Sequence, residues 1–314
     1  MLKPVFLILA LTAGNALAQA PARMISGFPP GGAVDILARV FAEEWSKAIG
    51  RPAIVENITG AGGLLAMQNL KSSPPDGNTL AVSTDSSLVV YPHTVAKPAY
   101  DTFADFTAIA HAGGTVNALA IGTHVPAKSL GEFAAWAKAN PEKSSFGASG
   151  AGSALQFYGL LIAQTVGMPM THVPYKGVGP SIADVVGGQI AATVAPIGTL
   201  QPQAKSGKVR VLGHSGSARI AGAPEVPTFK ELGYAALESP IWFGIVGPGG
   251  MRPELAGRLN ETFVQAMRTP AVRERMARLD LEIREMSAAE FAAQLKADYE
   301  RWGKIVKASG WKPE

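Results

Sequence analysis

The sequence contains no cysteine among its 314 residues. Disulfide cross-links, thiol catalysis and thiolate-bound metals are therefore excluded. Hydrophobic residues make up 47% of the chain, so it can bury a sizeable core without cross-links. Its length suggests about two domains of ordinary size.

Clusters of like charge are missing too. The formal net charge is +4 and the isoelectric point is near 9.2, which taken alone is typical of nucleic-acid-binding proteins. A groove that follows a nucleic-acid backbone needs basic residues clustered with aromatic ones, whereas here the Lys and Arg residues are dispersed. We expect a solvated basic surface and no nucleic-acid partner.

Apolar runs long enough to cross a membrane are also lacking. At the N-terminus, Lys3 precedes a short apolar run over residues 5–11, and Ala16-Leu17-Ala18 follows. This three-part pattern is typical of a secretory signal peptide, although an ordinary N-terminal helix is the alternative. We predict that residues 1–18 are a signal peptide cleaved after Ala18, and that the mature chain is periplasmic.

The sequence does contain a repeated order of strand, glycine-rich turn and helix. A helix with apolar residues at helical spacing follows Gly32, and Gly50 stands where its C-terminal cap belongs. Pro180 is predicted to occupy the first position of a later helix. Ser287 and Glu290 form a capping-box pattern before the last long helix.

The predicted strands alternate with these helices. In chain order they are Arg23–Gly27, Ala53–Glu56, Thr79–Thr84, Ser145–Gly147, Thr171–Val173, Ile190–Ala195, Val209–Leu212 and Trp242–Val246. This alternation predicts an α/β fold with a mostly parallel sheet and helices on both of its faces.

Two layouts of domains fit this order. In the first, residues 19–120 and 243–314 form one lobe and residues 121–242 form the other. The chain then crosses twice, near Ile121 and near Ile241, and the lobes can close on a ligand between them. In the second, two sequential domains meet near Gly150. The alternation by itself barely separates the two layouts.

Three loops follow one design, in which a strand ends, glycines follow and a helix begins. They are Pro29–Gly32, Gly60–Gly63 and Ser149–Ser153. The unpaired N–H groups and the dipole of a helix N-terminus form an anion site without Lys or Arg. For each loop alone, a tight turn is the favoured explanation, but the three together favour a shared ligand cleft.

Several polar residues near these loops have two interpretations. Asp35 either stabilises the first turn of its helix through the dipole or contacts the ligand. Ser149 and Ser153 are helix caps, hydroxyl donors to a carboxylate, or both. Tyr175 either presents its phenol to the cleft or lies in a surface turn.

Asp85 follows the third predicted strand, at the sheet edge where ligands bind in α/β folds. In a cleft its carboxylate repels a second ligand carboxylate and attracts an amino group or a protonated ring nitrogen. This favours an amino acid or a heteroaromatic monocarboxylate over citrate-like anions. The alternative is that Asp85 caps a turn through Ser87 and does not meet the ligand.

Catalytic motifs are incomplete. Gly213-His214-Ser215-Gly216-Ser217 resembles the nucleophile elbow but ends in serine. A dinucleotide fingerprint fails because Leu155 replaces its third glycine, and the five histidines lack metal-ligand spacing. We expect no cofactor, no metal and no enzymatic activity. The alternative is a Ser/His hydrolase that acts on a small ester or amide through Ser149 or Ser215.

An ordered set of motifs resembles the Bug family, the extracytoplasmic receptors of tripartite tricarboxylate transporters. The motifs are Phe28–Asp35 with Ala38-Arg39, Glu56-Asn57, Gly60–Gly63, Pro75–Leu80, Tyr100-Asp101 with Asp105-Phe106, Ser149–Ser153, His172–Gly177, Pro224–Thr228 and Trp242–Gly244. Each motif is weak alone, whereas the ordered set covers nearly the whole mature chain.

This resemblance implies a type II periplasmic-binding-protein fold with two lobes, a ligand cleft and two hinge crossings. It implies a small carboxylate ligand, with Pro30, Gly31, Gly32 and Asp35 lining one wall of the cleft. Ser149, Gly152, Ser153 and Tyr175 then form the other wall. From the design of the Gly60–Gly63 loop, we also expect Gly62 to bind the ligand.

The resemblance also implies partners, namely the membrane components of a tripartite tricarboxylate transporter or a sensor protein. We expect a monomer. Two departures from the family leave the ligand's identity open. Gln156 stands where His is common, and Thr193-Val194-Ala195 lacks the acidic or aromatic residues often found there.

Overall fold

The computed structural model describes residues 20–313, so the predicted signal peptide lies outside the described residues. Within that range, no helix combines the length and the apolar character needed to cross a membrane.

The described residues form ten strands and ten α-helices. The strands are β1 Ala22–Ser26, β2 Ala53–Asn57, β3 Thr79–Thr84, β4 Phe106–Thr115, β5 Asn117–Gly122, β6 Ser145–Ser149, β7 Thr171–Tyr175, β8 Ala192–Pro196, β9 Val209–His214 and β10 Ile241–Pro248. The helices are α1 Ala33–Ile49, α2 Leu64–Lys71, α3 Tyr91–Thr94, α4 Leu130–Ala139, α5 Ala154–Val166, α6 Val178–Gly187, α7 Ile197–Lys205, α8 Pro253–Arg268, α9 Pro270–Ala277 and α10 Ala288–Ala308.

The strands form two sheets of five, one in each lobe. The first has the order β2-β1-β3-β10-β4, and the second has the order β7-β6-β8-β5-β9. In the first sheet, β1 runs parallel to β2 and β3, while β10 is antiparallel to β3 and β4. In the second, β6 runs parallel to β7 and β8, while β5 is antiparallel to β8 and β9.

The expectation of a mostly parallel sheet therefore needs correction, because both sheets are mixed. Each antiparallel strand is the one that enters from the other lobe. β4 of the first sheet continues into β5 of the second sheet through Val116 alone. The chain changes sheets here without a crossover helix, which is required only between parallel neighbours of one sheet.

Sheet membership also shows where the chain changes lobes. The first change falls between Thr115 and Asn117, so the boundary predicted after residue 120 lies inside β5. On the return, Ser239 still donates its N–H to the Ser215 carbonyl at 3.0 Å. Ile241 already pairs with Thr115 in the first sheet.

Helices cover both faces of the first sheet, as predicted. Along β1, Met24 packs with α1 and α8, whereas the next residue, Ile25, packs with α2 on the opposite face. The α1 core contact includes Phe41 and Phe263, whose rings meet edge to face at 5.7 Å between centroids. Alternate side chains of a strand point to opposite faces, which explains this division.

Helix ends follow their local sequence signals with one exception. Gly50 adopts the left-handed cap conformation, with φ of 66°, and Ser287 and Glu290 form both hydrogen bonds of the capping box. Pro180 is at the third position of α6, because the helix already begins at Val178. Proline is tolerated there since first-turn N–H groups have no partner within the helix.

The last helix, α10, contacts elements of both lobes. It packs against β4, the helical turn Ser86–Val90 and α5 of the second lobe. The Trp242 indole N–H donates to the Asp298 carboxylate of α10 at 2.8 Å. The C-terminal segment after α10 therefore starts close to both lobes.

Candidate functional site

A cavity of about 790 Å³ opens between the two lobes. The first lobe contributes Phe28, Ala61, Gly62, Leu64, Thr84, Asp85, Ser86, Ser87, Tyr91, Thr94, Val95 and Tyr100. The second lobe contributes Asn117, Ser149, Gly150, Ala151, Gly152, Ser153, Ala154, Leu155 and Pro196, and the returning chain adds Ile241 and Trp311. Five of the predicted site residues thus meet here: Gly62, Asp85, Ser149, Gly152 and Ser153.

The Gly60–Gly63 loop forms part of the first-lobe wall. Gly60, Gly62 and Gly63 all have positive φ, a region that glycine enters without steric cost. A Cβ atom on Gly27 would lie 2.8 Å from the Cα of Gly63. Glycine at position 27 therefore lets the loop pack directly on the end of β1, which places Gly62 at the cavity and starts α2 behind it.

The Ser149–Ser153 loop forms the facing wall and is held by its own hydrogen bonds. The Ser153 hydroxyl donates to the Ser149 carbonyl at 2.7 Å and accepts from the Gln156 N–H at 3.3 Å. The Gly152 N–H donates to Oε1 of Gln156 at 2.8 Å. Ser153 is therefore the N-cap of α5, and Gln156 fixes the loop that the helix N-terminus presents to the cavity.

The Pro29–Gly32 loop is placed differently from the other two. Pro30, Gly31 and Gly32 are exposed and do not line the cavity, whereas Phe28 just before them does. The loop reaches solvent because its turn projects beyond the end of β1.

Asp35 is buried beneath this loop, with 2% of its side chain exposed. Its carboxylate accepts hydrogen bonds from the Gly31 N–H at 2.9 Å, Arg39 at 3.0 Å and the Asn57 amide at 2.7 Å. Burial alone would raise the pKa of Asp35, but these hydrogen bonds outweigh it and the pKa is lowered. Asp35 thus ties the loop to α1 and β2 and does not contact the cavity.

Tyr175 does not reach the cavity either. Its hydroxyl donates to the Asp184 carboxylate of α6 at 2.6 Å. Burial, followed by this carboxylate, raises the pKa of the phenol to about 12. The side chain lies against Gly147, where a Cβ atom would be 2.9 Å from the ring. Tyr175 therefore packs over the second sheet and has no direct place in the cleft.

Asp85 lies at the cavity with its carboxylate almost fully buried. It accepts from the Ser86 N–H at 2.6 Å, so it caps the following helical turn through Ser86 and not through Ser87. Ser87 instead donates to the Gly62 carbonyl at 3.2 Å. Burial, and then the negative charge of Asp298, raise the pKa of Asp85 to about 7. The residue is both a cap and a cavity wall.

Sequence reasoning missed several lining residues. Asn117 is buried at the crossing, and its Oδ1 atom has no hydrogen-bond partner among the described residues. A lone amide at the start of the apolar strand β5 was a usable signal. Tyr91, Tyr100 and Trp311 supply aromatic surface, and their separation in sequence gave no sign that they meet.

The cavity differs from an ordinary anion pocket in its charges. Among the described residues that line it, Asp85 alone carries an ionisable acid, and none is Lys, Arg or His. Negative ligand groups must therefore be bound by N–H groups, hydroxyls and the helix dipoles of α2 and α5.

Ser149 and Ser215, the two candidate nucleophiles, are not paired with a histidine base among residues 20–313. Ser215 is fully buried and its hydroxyl accepts from the Asn117 N–H at 2.9 Å. The adjacent His214 is also buried, and its Nδ1 accepts from the Gly216 N–H at 3.1 Å. Across residues 20–313, no hydrogen bond joins Ser149 or Ser215 to a histidine side chain, which a nucleophile and its base require.

Comparison with known proteins gives a consistent result. The family model described as the tripartite tricarboxylate transporter family receptor matches residues 37–311. A UPF0065 protein from the gbd 5' region of Cupriavidus necator is 37% identical over 276 residues, which cover 87% of this chain and 83% of that protein.

Two solved structures share the fold across almost the whole chain. MatC from Rhodopseudomonas palustris with bound malate is 28% identical, with a TM-score of 0.77 over 91% of this chain and 98% of that one. Rpa4515 from R. palustris with adipate is 25% identical, with a TM-score of 0.81 over 94% and 98% of the two chains.

Proposed function

Because the chain belongs to the tripartite tricarboxylate transporter receptor family, as its resemblance to the Bug receptors predicted, we propose that it captures a small carboxylate between its lobes without transforming it. It is a solute-binding protein with the two-lobed type II periplasmic-binding-protein fold. The observation that carries the proposal is the cavity between facing glycine loops, each at a helix N-terminus.

The carboxylate group of the ligand is assigned to these two loops. Gly62 and Gly63 precede α2, while Gly152 and Ser153 precede α5, and none has a bulky side chain to block approach to the backbone. Helix dipoles from opposite lobes then converge on one anion. Such a site becomes stronger when the lobes close and water is excluded.

The rest of the ligand faces a different environment, with aromatic walls and one buried acid, Asp85. Relatives of the chain were solved with malate and adipate, which are dicarboxylates. Here, however, an ionised Asp85 repels a second carboxylate and attracts an amino group or ring N–H. We therefore favour an amino acid or a heteroaromatic monocarboxylate as the ligand. The predicted site residues outside the cavity lining support the cleft only through loop geometry and packing; they are Pro30, Gly31, Gly32, Asp35 and Tyr175.

Thermal unfolding with a ligand panel tests this proposal. Amino acids and pyridine carboxylates are compared with malate, adipate and citrate at equal concentration. At least one monocarboxylate is expected to raise the unfolding temperature, since a ligand that binds only the folded state stabilises it. It should be recovered unchanged, as measured by mass spectrometry.

The variant Asp85→Asn tests the ligand class, with benzoate as the comparison ligand that lacks an amino group. It should weaken an amino-bearing ligand by about 1–3 kcal/mol in calorimetry, and benzoate by much less. Tighter binding of citrate than of every monocarboxylate would refute the ligand class. Stabilisation by no carboxylate at all, or release of an altered product, would refute the receptor function.

We further propose that the mature protein is a periplasmic monomer that delivers its ligand to transporter membrane components or to a sensor protein. Export through residues 1–18 should leave Gln19 as the first residue of the mature protein. N-terminal sequencing of the periplasmic fraction checks this, and full-length chain recovered from the cytoplasm would contradict it.

A further inference from the structure

Trp311 reaches the ligand cavity from the far end of the chain. It follows α10 and Gly310, whose φ of 76° turns the segment back toward the lobes. The backbone N–H of Trp311 donates to the Ser309 hydroxyl at 3.3 Å, which stabilises the turn. A residue near the C-terminus is thereby placed on the cavity wall, where it is half-buried.

The indole of Trp311 contacts both lobes. Its N–H donates to the Thr94 carbonyl of the first lobe at 2.9 Å. Its ring meets the Phe157 ring of the second lobe edge to face, with 5.6 Å between centroids. A Cβ atom on Gly152 would lie 3.5 Å from the indole, so the ring packs against the glycine loop itself.

The Trp311 indole lies in an uncharged part of the cavity. Tyr91, Val95 and Leu155 line the same cavity, and none of them is charged. Aromatic rings prefer offset-stacked or edge-to-face neighbours, and a fixed indole offers such contacts at little cost in side-chain entropy. With its N–H held by Thr94 and its edge by Phe157, Trp311 is fixed before a ligand arrives.

We propose that Trp311 is a specificity-determining residue of the cleft, which selects ligands with a planar aromatic body over linear aliphatic ones. This inference rests on the proposed function, since it assigns the ligand body to a wall of the same site. The carboxylate remains with the glycine loops, and the aromatic body lies against the indole.

The test compares benzoate and pyridine-3-carboxylate with hexanoate in calorimetry. Hexanoate carries one carboxylate and an apolar chain but no ring. Trp311→Leu should weaken the two aromatic probes about tenfold, and hexanoate by less than about twofold, because a ring contact adds to simple apolar burial. Trp311→Phe keeps a ring and loses the N–H, so it should retain most of the aromatic affinity.

Trp136 provides a matched control, because it is also half-buried but packs on Phe133 of α4. Trp136→Leu should leave all three affinities unchanged. Benzoate should alter the tryptophan fluorescence of the wild type and of Trp136→Phe but not of Trp311→Phe. Equal losses for hexanoate and benzoate, or none, would overturn the role of Trp311 while leaving the receptor function intact. Failure of every carboxylate to bind the wild type would instead overturn both.

Discussion

Replacement of Asp85 by asparagine is expected to raise the free energy of unfolding of the ligand-free protein at pH 8 by about 2–4 kcal/mol. The carboxyl is buried at the cavity, and its pKa is raised from 3.8 to about 7, chiefly by loss of water and then by Asp298. Asparagine keeps an oxygen that can accept from the Ser86 N–H but carries no charge. The burial of an ionised carboxylate is thereby avoided.

The stabilisation by Asp85→Asn should depend on pH, and the raised pKa of Asp85 determines in which direction. The folded state holds the proton of Asp85 more tightly than the unfolded state, so its favourable contribution is complete below about pH 3.8 and is lost as the pH rises through about 7. The gain from Asp85→Asn should therefore be about 2 kcal/mol larger at pH 8 than at pH 5. Urea unfolding at both values measures it. Glu142→Gln, at an exposed carboxylate, serves as the control, and a gain independent of pH would contradict the prediction.

Asp35→Ala is expected to destabilise the protein by about 2–4 kcal/mol at pH 7, since it removes the acceptor of the Gly31 N–H, one of the two acceptors of the Asn57 amide and the partner of Arg39. The lowered pKa of Asp35 means that the wild-type advantage is present above about pH 3.8 and is lost as the pH falls further. Urea unfolding at pH 7 and at pH 3 measures both effects.

Glu43 is the matched control on the same helix. It also pairs with cations, Lys47 and Arg275, but all three side chains are largely exposed. Exposed ion pairs contribute little to stability, so Glu43→Ala should have a much smaller effect than Asp35→Ala. Equal losses would show that the buried network beneath the Pro29–Gly32 loop has no special role.

Local signals in the sequence were sufficient for much of the fold. β3 spans Thr79–Thr84 as predicted, and the Gly50 cap and the Ser287 capping box were predicted from residues within one helical turn. The direction of β5 and β10 could not be read in this way. Strand direction depends on which lobe the chain comes from, and no local propensity encodes that.

The site shows the same division. Gly62, Gly152 and Ser153 line the cavity because a strand, a glycine turn and a helix follow one another directly. Asp35 belongs to a loop of the same design, but its carboxylate turns inward to Asn57, 22 residues away. Trp311 could not be predicted, since only the path of the whole chain brings it back to the cleft.

The order of strands in the first sheet has a consequence for how the protein matures. β10, which begins at Ile241, lies between β3 and β4, whereas all five strands of the second sheet lie between Asn117 and His214. For a chain delivered across a membrane N-terminus first, the second sheet can therefore pair completely while β3 and β4 still have open edges. Pairings this distant in sequence form slowly, and open edges are prone to pair with other chains. We expect the first lobe to be the last part of the protein to become native. The protein should therefore be most prone to aggregation in the period before β10 pairs with β3 and β4.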